Sequence, residues 1–285
     1  MAQDILTVAI IGAGGKMGSR LTNNLYTRPE YRMVYAESGE AGQARLKEKN
    51  LSVVTSEEAV KQADITILAV PDSRIGTASS SLVPLAKSGS TLIVLDPASA
   101  VAGELSTRQD MCFVVTHPCH PPLFGEQKSD EARRDFFGGV AAWQDIVIAL
   151  MQGSEEKFLQ AEALCKTMFG PVRNSHRITV DQMAILEPAM AEVVAAAAAV
   201  LMKDAMEEAI KAGVPRPAAE AFMMGHAQIP LAIVFGAIKS PFSDAAKIAV
   251  HWGTEKVIRP DWRKVFEKDQ IRSVIQEMLH PGAKP

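Results

Sequence analysis

A glycine-rich turn near the start of the chain restricts the fold more than any other feature of the sequence. It reads GAGGKMG over residues 12–18, directly after the apolar run Val8–Ile11 and before a helical pattern. Glycines at such a strand-to-helix turn let backbone N–H groups approach a pyrophosphate at the helix N-terminus. The third glycine, Gly18, comes one residue later than in the strict G-x-G-x-x-G pattern. The turn predicts a dinucleotide site contacted by Gly12, Ala13, Gly14, Gly15, Lys16 and Met17.

The first half of the chain alternates β-rich runs with helical patterns. Several runs are apolar at consecutive positions, as expected for strands buried on both faces of a parallel sheet. This alternation predicts an α/β fold in which a doubly wound, Rossmann-type parallel sheet occupies residues 1–176. The predicted strands are Val8–Ile11, Met33–Tyr35, Ile65–Val70, Leu92–Leu95, Phe113–Val115 and Ile146–Leu150.

The second part of the chain reads as helices only, which predicts an all-helical C-terminal domain over residues 177–285. Its main feature is one long helix from Thr179 to Ala212, in which Val193–Met202 is apolar on every face. We expect this run to be buried within the helical domain or in a dimer core. A domain of about 110 residues can hardly bury so much apolar surface alone, which favours a homodimer joined through it. Trp252 and Trp262 are expected to anchor its core.

Charge and composition exclude several classes of function. Thirty basic residues against thirty-three acidic residues, with no basic block, argue against a nucleic-acid partner. Three cysteines without paired spacing favour a reducing, cytoplasmic location. The N-terminal stretch lacks the positive region of a signal peptide, and no uncharged apolar run reaches the roughly 18 residues of a membrane span. We therefore expect a soluble protein with no membrane partner.

Acidic side chains follow two of the predicted strands on the cofactor side. Glu37 ends the second strand, where a carboxylate binds the adenosine ribose hydroxyls and repels a 2′-phosphate. It predicts NAD rather than NADP, and the alternative is a solvated glutamate at a strand end. Pro71 and Asp72 follow another strand and are expected beside the cofactor. Asp96 follows a third strand and either faces the same ligand crevice or, as we favour, caps the helix that follows it.

The segment His117-Pro118-Cys119-His120-Pro121-Pro122 concentrates two of the six histidines in a stretch stiffened by prolines. His117 and His120 in such a rigid loop are able to chelate one metal ion through two imidazoles. Short H-x-x-H strings also arise by chance, so the pair alone leaves the metal open. Cys119, between them, is expected to be a small buried apolar residue.

A third metal ligand is predicted at Glu187, in the long apolar helix immediately before Pro188. A carboxylate on such a helix needs a partner, which is either a basic side chain or a metal ion. Two imidazoles and one carboxylate suit Zn²⁺, which we favour, and also Mn²⁺ or Fe²⁺. His117, His120 and Glu187 are thus the predicted metal ligands and catalytic residues.

In outline and in several segments the chain resembles the β-hydroxyacid dehydrogenase and 6-phosphogluconate dehydrogenase group. In detail it is most similar to members that oxidise and rearrange branched sugar acids. The lysine-bearing G-x-x-x-N-x-x-K helix typical of the group is absent, which leaves room for metal assistance. The segments that carry the resemblance are IGAGGKMGSRLTNNL (11–25), ILAVPDSRIG (67–76), VTHPCHPPLF (115–124), DFFGGVAAWQDIVIALMQG (135–153) and ITVDQMAILEPAMAE (178–192).

The resemblance implies a reaction in two stages on a small sugar-acid substrate. The C2 hydroxyl is oxidised with hydride transfer to NAD, and a hydroxymethyl group then shifts from C3 to C2. A divalent metal would polarise the ketone and acidify the neighbouring hydroxyl. Two alternatives stay open: a decarboxylating β-hydroxyacid dehydrogenase for another sugar acid, and a non-catalytic NAD sensor.

Overall fold

The computed structural model describes residues 5–282, which form two compact units. The first unit contains the described residues up to Ala184 and those from Arg272 onward, and the second contains Ile185–Ile271. The predicted domain boundary between residues 176 and 177 stays a prediction, since a division by chain contacts does not test which segments fold as domains.

The first unit is built on one eight-stranded sheet in the order β3-β2-β1-β4-β5-β6-β7-β8. Neighbouring strands are parallel except β6 and β7, which are antiparallel. The predicted Rossmann-type sheet is confirmed, with β3 and β8 as additional strands. The strands are β1 (Leu6–Ile11), β2 (Tyr31–Ala36), β3 (Val53–Val54), β4 (Ile65–Leu68), β5 (Thr91–Val94), β6 (Cys112–Pro118), β7 (Gln144–Gln152) and β8 (Val172–Arg177).

Helices follow most of the strands, and several begin at a side chain that accepts a backbone N–H. Thr55 and Glu58 form a reciprocal capping box, and the Ser154 hydroxyl accepts the N–H of Lys157. Such caps satisfy backbone donors that have no partner inside the helix. The helices are α1 (Gly18–Leu25), α2 (Glu40–Glu48), α3 (Ser56–Gln62), α4 (Asp72–Leu82), α5 (Ala98–Val101), α6 (Asp130–Arg134), α7 (Glu155–Met168) and α8 (Val180–Ala184).

The core of the first unit lies between the central strands and the helices that cover them. Ile10, Ile67 and Ile93 on neighbouring strands are fully buried, as is Leu21 of α1. All four residues of β4 and all four of β5 are buried, which confirms that the consecutive apolar pattern marks strands covered on both faces. This rigid sheet holds the strand ends, and the loops that leave them, in fixed positions.

The second unit is helical, as predicted. The long helix expected from Thr179 to Ala212 runs from α8 through a π-helical segment, Ile185–Ala196, into α9 (Ala197–Lys211). The π-helical segment contains Pro188. Because proline has no backbone N–H, it cannot make the regular α-helical hydrogen bond to the preceding turn. The chain continues with α10 (Arg216–Val234), α11 (Asp244–Val257) and α12 (Lys268–Leu279), and a 3₁₀ turn at Trp262–Phe266 precedes α12.

The apolar side chains of the second unit are largely exposed in the single chain. Most of Val193–Met202 is exposed, including Leu201 at 48%, so of the two expected positions the helical domain alone does not bury the run. Trp252 is 63% exposed, so the prediction that it anchors the core is also wrong. By length and composition alone, the helix Val180–Lys211 is long and apolar enough to cross a membrane. Only 11% of its most apolar 18-residue stretch is buried within the protein. Amphipathic patterning cannot separate a helix buried in its own domain from one covered by a partner.

Candidate active site

The predicted functional residues of the first unit gather at one edge of the sheet. Gly12 follows β1, Pro71 lies beyond β4, Asp96 lies just beyond β5, and His117 is the second-last residue of β6. These four strands are parallel, so their carboxyl ends meet at the same edge. Ligands of open α/β sheets bind in the crevice outside this edge.

The glycine turn is packed so closely that side chains are excluded from it. Gly12 has a φ of +82°, and a Cβ there would lie 2.6 Å from the carbonyl oxygen of Ala69. A Cβ on Gly14 would overlap the backbone of Gly42, and one on Gly18 would overlap the carbonyl of Gly12. The N–H groups of Gly12, Ala13, Gly14 and Gly15 already donate within the protein, so they hold the turn in shape. The absence of side chains lets a pyrophosphate approach the turn and the helix N-terminus that follows it.

A cavity of about 700 Å³ lies over this turn, within the size range of cofactor sites. Four predicted cofactor contacts line it, namely Gly12, Gly15, Glu37 and Pro71. The cavity and the glycine turn together fit a bound dinucleotide. The remaining predicted contacts lie in the turn or at the start of α4 and stay predictions: Ala13, Gly14, Lys16, Met17 and Asp72.

Glu37 is engaged with the glycine turn and is more than a solvated strand end. Its carboxylate accepts the backbone N–H of Gly14 at 2.9 Å and that of Gly39 at 2.8 Å. An ionised carboxylate has about four acceptor positions, so capacity is left for the ribose hydroxyls. Arg45 donates to the Gly14 carbonyl at 2.8 Å and holds the same turn from α2. Gly42 of α2 also packs against the turn, at Gly14, but it lies outside the glycine motif and was not predicted from the sequence.

Backbone carbonyls fix one tautomer in both histidines, His117 within β6 and His120 in the loop that follows it. Nδ1 of His117 lies 2.8 Å from the carbonyl oxygen of Leu95, and Nδ1 of His120 lies 2.9 Å from that of Phe137. A carbonyl oxygen only accepts hydrogen bonds, so each Nδ1 carries the proton and donates it. In a neutral ring of this tautomer, Nε2 is the acceptor nitrogen, which is the atom that binds a metal ion or accepts a proton.

The two histidine rings lie close together, although His120 is not among the residues whose ligand atoms lie within 4.8 Å of those of Asp96 and His117. Two imidazoles on one tetrahedral ion, with bonds of about 2.0–2.1 Å, have ring centres roughly 5 Å apart. The ring centres of His117 and His120 are 6.0 Å apart with perpendicular planes, within an ångström of that value. Asp96 also brings a carboxylate oxygen within 4.8 Å of a ring nitrogen of His117. Imidazole and carboxylate donors of this kind fit a divalent metal.

For Asp96 a helix cap was favoured over a place in the ligand crevice, and the structure shows the hydrogen bond that a cap requires. Its Oδ1 accepts the N–H of Ala98 at 2.7 Å, at the start of α5. Its approach to His117 was not predicted, because a helix cap already gives the carboxylate a hydrogen-bond donor. Glu187, the predicted third ligand, is half-buried in the π-helical segment of the second unit. Its place beside the histidines stays a prediction.

The loop Asp135–Gly139 holds His120, and the sequence analysis named it only for the family resemblance, without a role at the site. One carboxylate oxygen of Asp135 accepts the N–H groups of residues 140, 141 and 142 at 2.9–3.1 Å, which fixes the loop. The Phe137 carbonyl binds His120, and the guanidinium of Arg20 lies 4.4 Å from the centre of the Phe137 ring. The cofactor helix and the histidine loop thus meet at this ring. In the sequence this loop is marked by the string DFFGG at residues 135–139, where an aspartate and two glycines indicate a turn.

The three cysteines differ in environment. Cys119 is exposed, so the prediction that it is a buried apolar residue is wrong. Cys112 and Cys165 are buried, and burial raises the pKa of the Cys165 thiol to about 12. Cys119 is therefore the accessible thiol among the three.

Two family models match the chain. Residues 125–279, more than half of the chain, match the model described as "Phosphogluconate dehydrogenase (decarboxylating) C-term". Residues 7–99 match the model described as "NADP oxidoreductase coenzyme F420-dependent". The predicted resemblance to the phosphogluconate dehydrogenase group is confirmed.

Individual relatives are more similar still. D-apionate oxidoisomerase of Cupriavidus necator is 43% identical over 272 residues, covering 95% of this chain and 98% of that protein. D-apionate oxidoisomerase of Rhizobium rhizogenes is 42% identical over 272 residues, with the same coverage. A Cupriavidus necator structure, described as a semialdehyde dehydrogenase NAD-binding protein in complex with calcium and NAD, has a TM-score of 0.92 and 43% identity, covering 96% of this chain and 99% of that one. Identity at this level over nearly the full length of both partners shows that the chain belongs to the D-apionate oxidoisomerase family.

Proposed function

We propose that the protein is an NAD-dependent oxidoisomerase that converts D-apionate to 3-oxo-isoapionate. The C2 hydrogen leaves as hydride, the C2 hydroxyl loses its proton, and NADH is formed. The C3–CH₂OH bond then breaks as a C2–CH₂OH bond forms, so C3 becomes the ketone and the oxygen on C2 is reprotonated. The observation that supports this function best is the identity of 40–43% with four D-apionate oxidoisomerases over at least 95% of the chain.

The cofactor is NAD, which supplies the hydride acceptor of the oxidation. Backbone N–H groups at the end of the glycine turn would bind its pyrophosphate at the start of α1. Glu37 would accept hydrogen bonds from the ribose hydroxyls and repel the 2′-phosphate of NADP. Pro71 and Asp72 would lie beside the cofactor at the end of β4. NAD in the Cupriavidus necator structure supports this assignment.

The rearrangement is assisted by one divalent metal, for which His117, His120 and Glu187 are the proposed ligands, with Zn²⁺ favoured over Mn²⁺ and Fe²⁺. A bound ion would polarise the C2 ketone and acidify the C3 hydroxyl, which is the chemistry that an α-ketol rearrangement needs. The two histidines support the proposal because Nε2 is the acceptor nitrogen in both neutral rings. Asp96 is a further donor within reach of His117.

The protein acts as a homodimer joined through the second unit, in the cytoplasm. A groove of about 750 Å³ in that unit is lined by Val193, Ala197, Leu201 and Trp262, and most of its lining is apolar. Exposed apolar surface of this extent marks an interface, and the long helix itself offers a self-complementary apolar face. We expect Leu201→Glu to halve the mass measured by light scattering, while Lys211→Glu, on exposed polar surface, leaves it unchanged. A monomeric wild-type mass would contradict the dimer.

A decarboxylating β-hydroxyacid dehydrogenase is the second candidate, because the C-terminal family model is of the decarboxylating type. It would form NADH and release CO₂ from another sugar acid. The absence of the group's lysine motif from the sequence weighs against it.

The test is to incubate the pure protein with D-apionate, NAD and a divalent metal, and to identify the product by NMR. NADH and a 3-oxo acid that retains all of the substrate carbon are expected. Release of CO₂ would favour the second candidate. Binding of NAD without turnover of D-apionate or other sugar acids would favour the NAD sensor, and would refute the proposed activity.

A further inference from the structure

A second cleft lies beside His120, where the sheet continues past β6. Its volume is about 310 Å³, at the lower end of the range for small-ligand pockets. The walls are the loop that follows β6 and the first residues of β7 and β8, all within the first unit. Six lining residues matter here: His120, Gln127, Trp143, Asp145, Arg173 and His176.

Both walls of this cleft are held by hydrogen bonds. Asp145 accepts a hydrogen bond from Nε2 of His176 at 2.8 Å and another from the backbone N–H of Asn174 at 3.1 Å. Partial burial opposes ionisation of Asp145, but these hydrogen bonds outweigh it and hold its pKa below the usual value. On the facing wall, the Gln127 amide both donates to and accepts from the backbone of Trp143, at 3.1 and 2.9 Å. The cleft is therefore formed before any ligand arrives.

The polar groups of the cleft are complementary to a sugar acid. Arg173 is exposed and makes no ion pair within residues 5–282, whereas the charge of Asp145 is already met by His176 and Asn174. A guanidinium presents its N–H donors in a planar fork that matches a carboxylate. Glu126, at the exposed rim, offers acceptors for hydroxyl groups, and the Trp143 ring offers an apolar surface for C–H groups.

We propose that this cleft is the substrate subsite for the acid end of a small polyhydroxy carboxylate, and that Arg173 binds its carboxylate. The inference rests on the proposed function, because it takes a sugar acid as the substrate. His120 lines the cleft and also faces His117, so a ligand anchored at Arg173 extends its hydroxyl-bearing carbons toward the histidine pair. Arg173 thereby selects acids over neutral polyols.

The first test compares Arg173→Gln with Arg177→Gln in the full-length protein. We expect Arg173→Gln to raise the KM for D-apionate by roughly ten- to a hundredfold, as for loss of a charged hydrogen bond, with kcat and the Kd for NAD almost unchanged. Arg173→Lys should recover part of this loss. Arg177 is the matched control, since it lies on the same strand but binds Glu155 at 2.6 and 2.9 Å. An equal KM in the two glutamine variants, or a fall in kcat alone, would overturn the assignment.

The second test does not depend on turnover. Cys119 is exposed and lines the cleft, while Cys112 and Cys165 are buried, so the rate of reaction with a thiol reagent reports on Cys119. D-apionate should slow this reaction in the wild type but not in Arg173→Gln. If that protection is seen and no NADH forms, the proposed function is wrong and the subsite stands. NADH formation without protection, or equal protection in both proteins, refutes the subsite.

Discussion

Replacing Gly12 by alanine tests the geometry of the cofactor turn directly. Two costs are expected. The φ of +82° places an L-residue in the left-handed region, which costs about 1–2 kcal/mol. The new Cβ would also lie 2.6 Å from the Ala69 carbonyl oxygen, well inside the 3.4 Å at which ordinary contact begins. Relief of such overlap by backbone movement costs about 1–3 kcal/mol.

Gly103→Ala is the matched control, because it separates these two costs. Gly103 has a φ of +75°, but a Cβ there would meet no heavy atom within 4 Å. We therefore expect urea unfolding to show a loss of about 1–2 kcal/mol for Gly103→Ala and about 2–5 kcal/mol for Gly12→Ala. Only Gly12→Ala should also weaken NAD, by at least about tenfold, because the displaced turn loses a hydrogen bond to the pyrophosphate. Equal stability loss in the two variants, with equal NAD affinity, would refute the close packing of the turn.

The other predictions concern the histidines, cofactor choice and pH. Replacing His117 or His120 by alanine should abolish turnover of D-apionate while the Kd for NAD, measured by titration calorimetry, stays close to that of the wild type; a parallel loss of NAD affinity would contradict separate sites. Glu37→Ala should raise the Kd for NAD and relax the preference over NADP, and a wild type that prefers NADP in steady-state kinetics would show the assignment to be wrong. Burial opposes ionisation of Asp64, but hydrogen bonds from a backbone N–H and from Lys87 outweigh it and lower its pKa. Asp64→Asn should therefore destabilise the protein near neutral pH. The difference should be full above the unfolded-state pKa of about 3.9 and shrink as the pH falls from there through the lower pKa of the folded state, where the folded wild type loses the charge. A difference that is constant in urea unfolding across that range would exclude this linkage.

The sheet was predictable because its strands are buried on both faces. Consecutive apolar residues such as Ile65–Leu68 are typical of strands of this kind when glycine turns and helical patterns separate the runs. The short strand Val53–Val54 was not predictable, since two residues carry no periodic signal. The direction of β7 was not predictable either, because an apolar run is the same when read in both directions.

The site was predictable in its residue types but not in its hydrogen bonds. The H-x-x-H string identifies the two imidazoles, yet their tautomers depend on the carbonyls of Leu95 and Phe137, which lie 22 and 17 residues away along the chain. The exposed helical unit shows a similar limit. Val193–Met202 has the pattern of a buried helix, and the pattern does not say whether its own chain or a partner covers it.

The reversal of one strand explains why the substrate cleft has a second wall. In a fully parallel sheet the first residues of β7 would lie at the edge opposite the cofactor. Here β7 pairs antiparallel with β6, with His117 opposite Val147, so the start of β7 lies beside the carboxyl end of β6. The N–H of Cys119 accordingly donates to the carbonyl of Asp145 at 2.8 Å. Since β8 is parallel to β7, Arg173 is brought to this same edge. In a doubly wound sheet the ligand crevice lies along the carboxyl ends of the parallel strands. Here two more strands, β7 and β8, extend that edge, and the added length forms the cleft beside His120 in which we propose that the substrate carboxylate binds.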